Sequence, residues 1–353
     1  MTSKQCGYKE TIEIDGNKLT RSYIAGLTKE QRIELASKLF KYLRDLGWMY
    51  PDFDEDYKKS YQKVIDYIPD INKNDIYNNV SLGTDICQYF CRKSYFNTTE
   101  KIRNKINPSF IDNFNNDDVL KKICLNRMGL SWFENEPLET FNLTPKMIMY
   151  QAQRSMRLVP SISFFKPGIA KYIYLKYSNE KDVVYDFSAG FGARALGALS
   201  CDRKYIGIDP LTIPEIEEML KFLNIDKNNY CLINDMSENY NFNGEVDLVF
   251  SSPPYYDQEY YSSDITQAYN KGEQYFYDVY WTNTIINSKK ILKKDKYMVI
   301  NLSDRYPKML EIVVKIMGNY VDKVFLRTVR SHLNKTSKED ATKYEPIYVF
   351  KHQ

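Results

Sequence analysis

Apolar and polar positions along the chain change their period near residue 145. Before it the spacing is helical. Ile33, Leu35, Leu39, Phe40 and Leu43 recur on a helical period that runs to Gly47. Thr28 stands as its N-cap with Gln31 three residues on, a capping-box pattern. Pro51-Asp-Phe-Asp54 punctuates, and a second amphipathic stretch carries Tyr61, Val64, Ile65 and Tyr67 as far as Pro69. Asn72-Lys-Asn-Asp75 reads as a loop, and helices are expected over Asp85 to Lys93 and Asp117 to Met128. The tract from Tyr95 to Asn116, with Arg103, Lys105 and several Asn, reads as a loop-rich polar surface, either solvated or facing nucleic acid. Residues 1–145 are thus expected to be a mainly helical N-terminal region.

Beyond it, apolar runs too short for helices alternate with helical stretches. Helices are expected over Gln151 to Leu158, Ile169 to Tyr177, the small-residue segment from Ala193, Pro214 to Leu223, Tyr277 to Leu292 and Pro307 to Met317. Between them lie the strand-like runs Val183 to Tyr185, Tyr205 to Ile208, Tyr230 to Ile233, Val246 to Phe250 and Tyr297 to Ile300. Polar residues close them: Asp186, Asp209, Asn234-Asp235, Ser251-Ser252 and Asn301. Such alternation predicts an α/β fold with a doubly wound, mainly parallel sheet. Two last strands, Val321 to Val329 and Tyr344 to Phe350, flank the polar loop from Ser331 to Lys338 and imply an antiparallel hairpin at the sheet's edge. The expectation is a seven-stranded Rossmann-like sheet over residues 146–353.

Two strand ends carry candidate chemistry. Asp186-Phe-Ser-Ala-Gly-Phe-Gly192 is a strand end, an acidic residue and a Gly-rich turn leading into a helix. Gly190 and Gly192 let the backbone approach a ligand, and the helix start presents unpaired N–H groups. Asp209 closes the next strand, where an acidic residue can accept hydrogen bonds from ribose hydroxyls. Asn234-Asp235 closes the third, where it can meet the amino edge of an adenine. The fourth strand breaks at Ser251-Ser-Pro-Pro254, because consecutive prolines lack N–H groups and hold the chain extended. Tyr255 then sits on a stiff support beyond a strand's carboxyl end. A plain loop breaker is the alternative for the proline pair, and the upstream turn argues against it.

Composition narrows the class. The 353 residues suffice for two domains, and 43% hydrophobic with 27% charged residues is ordinary for a globular protein. A net charge of +3 means that a polyanion would need a local basic face. None of the six cysteines forms a Cys-x-x-Cys pair, and His332 and His352 lie far from them. No metal site is expected, and the thiols fit a reducing compartment. Cys87 and Cys91, four apart, are expected in a helical core. The N-terminus shows no apolar signal region and no stretch nears membrane-spanning length, so a cytoplasmic protein is expected. The excess of Asn, Lys, Ile and Tyr is compatible with a bacterial or phage origin.

Residues from about 160 to 350 resemble the S-adenosylmethionine-dependent methyltransferases that act on exocyclic amino groups of DNA bases. Asp186 to Gly192 resembles their cofactor turn, Ser252-Pro-Pro-Tyr255 their catalytic tetrapeptide, and Phe164-Phe-Lys-Pro167 the segment that packs beside the cofactor's methionine end. The resemblance implies catalytic roles for Ser252, Pro253, Pro254 and Tyr255. It implies cofactor contacts for Phe165, Lys166, Pro167, Asp186, Phe187, Ser188, Gly190, Gly192, Asp209, Pro210, Asp235, Met236 and Ser252. Tyr256, Tyr260 and Tyr261 are candidates for gripping the substrate strand, with loop packing as the alternative. Lys323, Arg327 and Arg330 either meet phosphates or are solvated strand charges.

The implied chemistry is methyl transfer to a base flipped from the duplex and stacked on Tyr255. Ser252 and the Pro253 carbonyl would accept hydrogen bonds from the amine. Serine at the first position leans to cytosine N4, while Asp or Asn is commoner for adenine N6. An RNA base and a catalytically silent nucleic-acid-binding subunit are the alternatives. Carbon-5 methylation is disfavoured, since no cysteine follows a proline. In the familiar arrangement with the cofactor motif first, a recognition domain follows the catalytic one. Here the chain ends after the last strand, so recognition is expected from residues 1–145, from the Tyr255 to Tyr275 loop or from a partner, a restriction partner among them.

Overall fold

The computed structural model describes residues 6–77, 81–102, 105–129, 142–160, 164–240, 243–256, 260, 266–329 and 342–353. The chain forms two compact units. One comprises Met1–Asp54, Tyr95–Ile162 and Tyr260–Ser262, the other Glu55–Ser94, Ser163–Glu259 and Ser263–Gln353. The units interleave along the chain, where the sequence pattern marks one boundary at 145/146.

The first unit is built on the helix Lys29–Leu46, started by the expected capping box between Thr28 and Gln31. Leu35, Leu39 and Leu43 are buried, whereas Ile33, on the opposite side of the helix, is 49% exposed. This face joins Phe114, Leu120, Ile123, Cys124, Ile148 and Met149 in one core. Asp117–Met128 is helical as expected. The tract from Tyr95 to Asn116 departs from the loop expectation. It contains the end of the helix Arg92–Asn97, a strand pair Glu100–Ile102 with Lys105–Asn107, and the capped helix Phe110–Asn115. Its polar residues masked an alternation of aromatics: Tyr95, Phe96, Phe110 and Phe114 are all buried.

The second unit is a sheet flanked by helices. In chain order its elements are α1 (Tyr57–Asp66), β1 (Asp75–Tyr77), α2 (Thr84–Phe90), α3 (Pro167–Tyr177), β2 (Val183–Asp186), α4 (Ala193–Leu199), β3 (Lys204–Ile208), α5 (Ile213–Phe222), β4 (Tyr230–Ile233), β5 (Val246–Ser251), α6 (Thr282–Ile291), β6 (Leu292–Asn301), α7 (Pro307–Met317), β7 (Asp322–Val329) and β8 (Thr342–Lys351). The sheet is eight-stranded, in the order β1-β7-β8-β6-β5-β2-β3-β4. β2 to β6 run parallel, and β8 lies antiparallel between β6 and β7. The α/β class and the mainly parallel sheet are therefore as expected.

One strand was not expected. Asp75–Tyr77 pairs parallel with β7, so the antiparallel hairpin is covered and the sheet has eight strands where seven were foreseen. The gain is physical: β7 would otherwise present an unpaired row of backbone groups. Its three residues, Asp-Ile-Tyr, are too few to carry a readable alternation, and Ile76 is buried.

The topology positions the site. From β2 the chain winds outward through β3 and β4, then returns to lay β5 on the other side of β2, with Tyr185 opposite Val249. The carboxyl ends of β2 and β5 therefore stand side by side where the strand order reverses, which is where open α/β sheets bind ligands. All of β5 from Val246 to Ser251 is buried. Among the described residues no helix is long and apolar enough to cross a membrane.

A tight spot lies in β3. A Cβ at Gly207 would fall 2.5 Å from Cε1 and 2.8 Å from the hydroxyl of Tyr205. Gly207→Ala should therefore push this buried ring aside and destabilise the protein by about 1–3 kcal/mol, the range for overpacking. Urea unfolding measures it, and an unchanged midpoint would refute the close packing.

Candidate active site

The site is assembled around the Asp186 carboxylate at the end of β2, which is fully buried. Oδ2 accepts from Arg194 Nε at 2.8 Å and from the Tyr205 hydroxyl at 2.8 Å. Oδ1 accepts from the Ser251 hydroxyl at 2.8 Å and from the Ser188 N–H at 3.2 Å. Arg194, itself buried, also donates to the Ser188 carbonyl. Asp186 thus joins the turn, α4, β3 and the end of β5, and its contribution to a ligand runs through the backbone that it holds. Tyr205 reaches it by lying across Gly207, the reason for the glycine there.

The turn needs its glycines. Gly190 has φ +56° and Gly192 φ +78°, the left-handed region that side chains disfavour. A Cβ on Gly192 would stand 2.6 Å from Met219 Cε of α5, so this glycine also seats the turn on that helix. Around Gly190 there is room: an added Cβ would meet only the Ser188 oxygen at 3.8 Å and Arg194 Nη2 at 3.9 Å.

Asp209 ties the turn to β3. Its carboxylate accepts from the N–H groups of Gly190 at 3.0 Å, Leu211 at 2.9 Å and Thr212 at 3.0 Å. Burial raises its pKa above the ordinary 3.8, and these three backbone donors offset only part of that. Pro210 follows and is partly exposed. At the end of β4, the Asn234 amide faces the carbonyls of Asp209 and Pro210, and the orientation that satisfies both has its NH₂ donating to them at 3.2 and 3.1 Å. Asp235 is exposed and accepts from the Met236 N–H at 2.7 Å. Lys271 Nζ lies 3.4 Å from the Met236 sulfur and 3.2 Å from the Tyr275 hydroxyl, which donates to buried Glu238 at 3.1 Å.

Aromatic residues wall the turn. Phe164 packs on Phe191 at 4.9 Å, and Phe165 meets Phe250 of β5 edge-on at 5.7 Å. The Arg194 guanidinium stands over the Phe165 ring at 5.2 Å, and Phe187 packs on Trp281 at 5.8 Å. Lys166 is half-buried, and that burial lowers its pKa. Pro167 opens α3.

Beyond β5, the Ser252 hydroxyl donates to Asn301 Oδ1 at 3.3 Å. Pro253 and Pro254 carry the chain to Tyr255, which is 7% exposed. Its hydroxyl accepts from the Ser303 N–H at 2.7 Å, and its ring stacks on Tyr306 at 4.2 Å and 8° between planes. Tyr306, a neighbour the sequence did not point to, therefore covers one face of the Tyr255 ring. Tyr256 packs on Phe276 at 5.6 Å.

The structure brings Ser252, Tyr255, Phe165, Asp186, Gly190 and Asp209 into one unit. Tyr260 belongs to the other, its backbone bridged to Thr99. Tyr261 and Arg330 lie outside the described residues. Lys323 stands over the Tyr348 ring at 4.7 Å. Sequence reasoning missed Arg194, Tyr205, Ser251 and Tyr306, and gave Asn301 no role. Arg194 alone left a signal, a charge inside the small apolar segment Ala193-Arg-Ala-Leu-Gly-Ala-Leu199.

No protein-family model matches the chain, and no curated protein sequence matches it. Solved structures similar to it include TrmN from Thermus thermophilus, at 13% identity over 53% of this chain and 49% of that one, with a TM-score of 0.39. Precorrin-6y C5,15-methyltransferase from Geobacter metallireducens is 12% identical over 53% and 87%, with a TM-score of 0.36. The tRNA (m1A58) methyltransferase TrmI from Aquifex aeolicus is 14% identical over 55% and 72%, also with 0.36. This chain thus spans about half the length of the Thermus protein.

Two outcomes follow from the geometry. Asp186→Ala strands the Arg194 guanidinium in the interior, so unfolding free energy should fall by about 3–5 kcal/mol. A loss under about 1 kcal/mol in urea titration would refute the buried network. Asp209 has a raised pKa when folded, so its share of stability is full below the ordinary value of 3.8 and is lost as pH rises through the folded value. The stability difference between wild type and Asp209→Asn should therefore shrink over that rise, and a difference that grows would contradict the assignment.

Proposed function

We propose that this protein is an S-adenosylmethionine-dependent methyltransferase acting on the exocyclic amino group of a nucleic-acid base, with cytosine N4 of DNA favoured. One observation carries the reading. The Gly-rich turn after β2 and the Ser-Pro-Pro-Tyr stretch after β5 stand on adjacent strand ends and are tied together by the Ser251–Asp186 hydrogen bond. A cofactor turn alone would serve many Rossmann-like enzymes, and the second motif beside it selects the chemistry.

The residues present fit this cofactor. Space is open over Gly190, Asp209 offers a carboxylate to ribose hydroxyls, Asp235 and Met236 stand at the next strand end, and Phe165 and Lys166 close the side towards β5. Asp186 supports the set from behind, since its oxygens are taken. When bound, S-adenosylmethionine would supply an electrophilic methyl group.

The protein's own task is the nucleophile. An amine conjugated to a base is poorly nucleophilic because its lone pair is delocalised into the ring. Hydrogen bonds accepted from it by Ser252 Oγ and the Pro253 carbonyl favour a pyramidal nitrogen with that pair released. The ring of Tyr255, fixed through Ser303 and covered on one face by Tyr306, would stack the base on its other face and offset part of the unstacking cost. Serine at the first position supports cytosine N4 over adenine N6. The helical first unit is proposed to choose the sequence, and the partner is DNA.

Methyl transfer from labelled S-adenosylmethionine to duplex DNA, single-stranded DNA and RNA, followed by nucleoside mass analysis, tests this. N4-methylcytosine is expected. N6-methyladenine would overturn the base assignment, product on RNA alone the substrate class, and no product on any of them the activity. Ser252→Ala should lower kcat on the order of tenfold to a hundredfold in protein that still folds cooperatively, at a stability cost of about 1–3 kcal/mol for the unpaired Asn301 oxygen.

A further inference from the structure

Asn301 closes β6 beside the tetrapeptide, is 3% exposed and has its whole amide engaged. Oδ1 accepts a hydrogen bond from the Ser252 hydroxyl, with 3.3 Å between the oxygens. Nδ2 donates to the Pro346 carbonyl at 3.1 Å and to Glu345 Oε1 at 3.3 Å, both on β8. These two acceptors decide which way the amide points. Turned over, Asn301 would set its oxygen against two other oxygens and aim its NH₂ at Ser252. Proline at 346 keeps a carbonyl but has no N–H, and the Leu302 N–H shares that carbonyl at 3.3 Å. The β8 backbone therefore holds the amide in one orientation.

We infer that Asn301 is a positioning and specificity-determining residue: by accepting the hydrogen bond of the Ser252 hydroxyl it leaves Ser252 Oγ to act towards a base as an acceptor only. A serine hydroxyl otherwise donates or accepts with equal ease. With its proton committed, its lone pairs can receive N–H from an amino group but offer nothing to a carbonyl. The site then admits cytosine, whose position 4 carries an NH₂ donor, and rejects uracil or thymine, whose O4 is an acceptor. An acceptor facing an acceptor in a dry site is strongly disfavoured, and this is how polar sites discriminate. The inference rests on the proposed methyl transfer and adds the selection of the reacting group.

A coupling experiment separates this role from strand-end packing. Methyl transfer is measured for wild type, Asn301→Ala, Ser252→Asp and the double variant, with a thermal melt of each. An ionised carboxylate at 252 has only acceptor oxygens, whose character needs no neighbour. Asn301→Ala should lower kcat about tenfold in the serine background with KM within about twofold, and by less than about twofold in the S252D background. Equal losses in both backgrounds would show a structural role and overturn the inference.

Binding gives a readout that needs no turnover by the variants. With S-adenosylhomocysteine present, wild type should bind the unmethylated substrate oligonucleotide, with cytosine at the target, about tenfold more tightly than the same oligonucleotide with uracil there. Asn301→Ala should remove that preference, and an unchanged preference would overturn the inference. Wild type that methylates nothing would instead remove the proposed function, and this inference with it.

Discussion

The Asp186 carboxylate is the interaction on which the rest of the site depends. A buried charge is tolerable only when its oxygens are satisfied. Here a guanidinium, a phenol, a hydroxyl and a backbone N–H do so, from α4, β3, β5 and the turn itself. The same bonds that satisfy the charge fix the relative placement of two strand ends more than sixty residues apart in sequence. The acidic residue at the start of the Gly-rich turn is thus a fastener first. It makes that turn and the end of β5 one object.

The second half of the site is fastened differently. β5 and β6 run parallel, and their carboxyl ends are joined by Ser252 with Asn301 and by Tyr255 with Ser303. Asn301 is held in turn by β8, so the antiparallel strand inserted between β6 and β7 reaches the Ser252 hydroxyl through the Pro346 carbonyl and the Glu345 carboxylate. The stack of Tyr306 on Tyr255 adds a ring from the segment between β6 and α7. Three strands and one connection thus converge on a tetrapeptide whose prolines keep it from adapting to them.

Much of the fold was legible because a doubly wound sheet writes itself as short apolar runs closed by polar residues. The runs ending at Asp186, Asp209 and Ser251 are strands as expected, and α7 is Pro307–Met317 as foreseen. What escaped was of another kind. β1 has three residues and exists only because β7 needs an edge partner, a demand invisible locally. The buried aromatics between Tyr95 and Phe114 were hidden by the asparagines around them. Within the site, motif residues stood out by spacing. Arg194, Tyr205, Ser251 and Asn301 are common residue types whose importance comes from what lies across the sheet, and no window of sequence contains both partners.

The turn held by Asp186 and Asp209 is proposed to bind S-adenosylmethionine. Titration calorimetry of the folded protein with S-adenosylmethionine, alongside Asp209→Ala, addresses it directly. Saturable binding by wild type, weakened at least about tenfold in the variant at unchanged fold by circular dichroism, is the predicted result, since hydrogen bonds to a charged acceptor contribute about 1.5–3 kcal/mol. A well-folded wild type that takes up no S-adenosylmethionine would contradict the account.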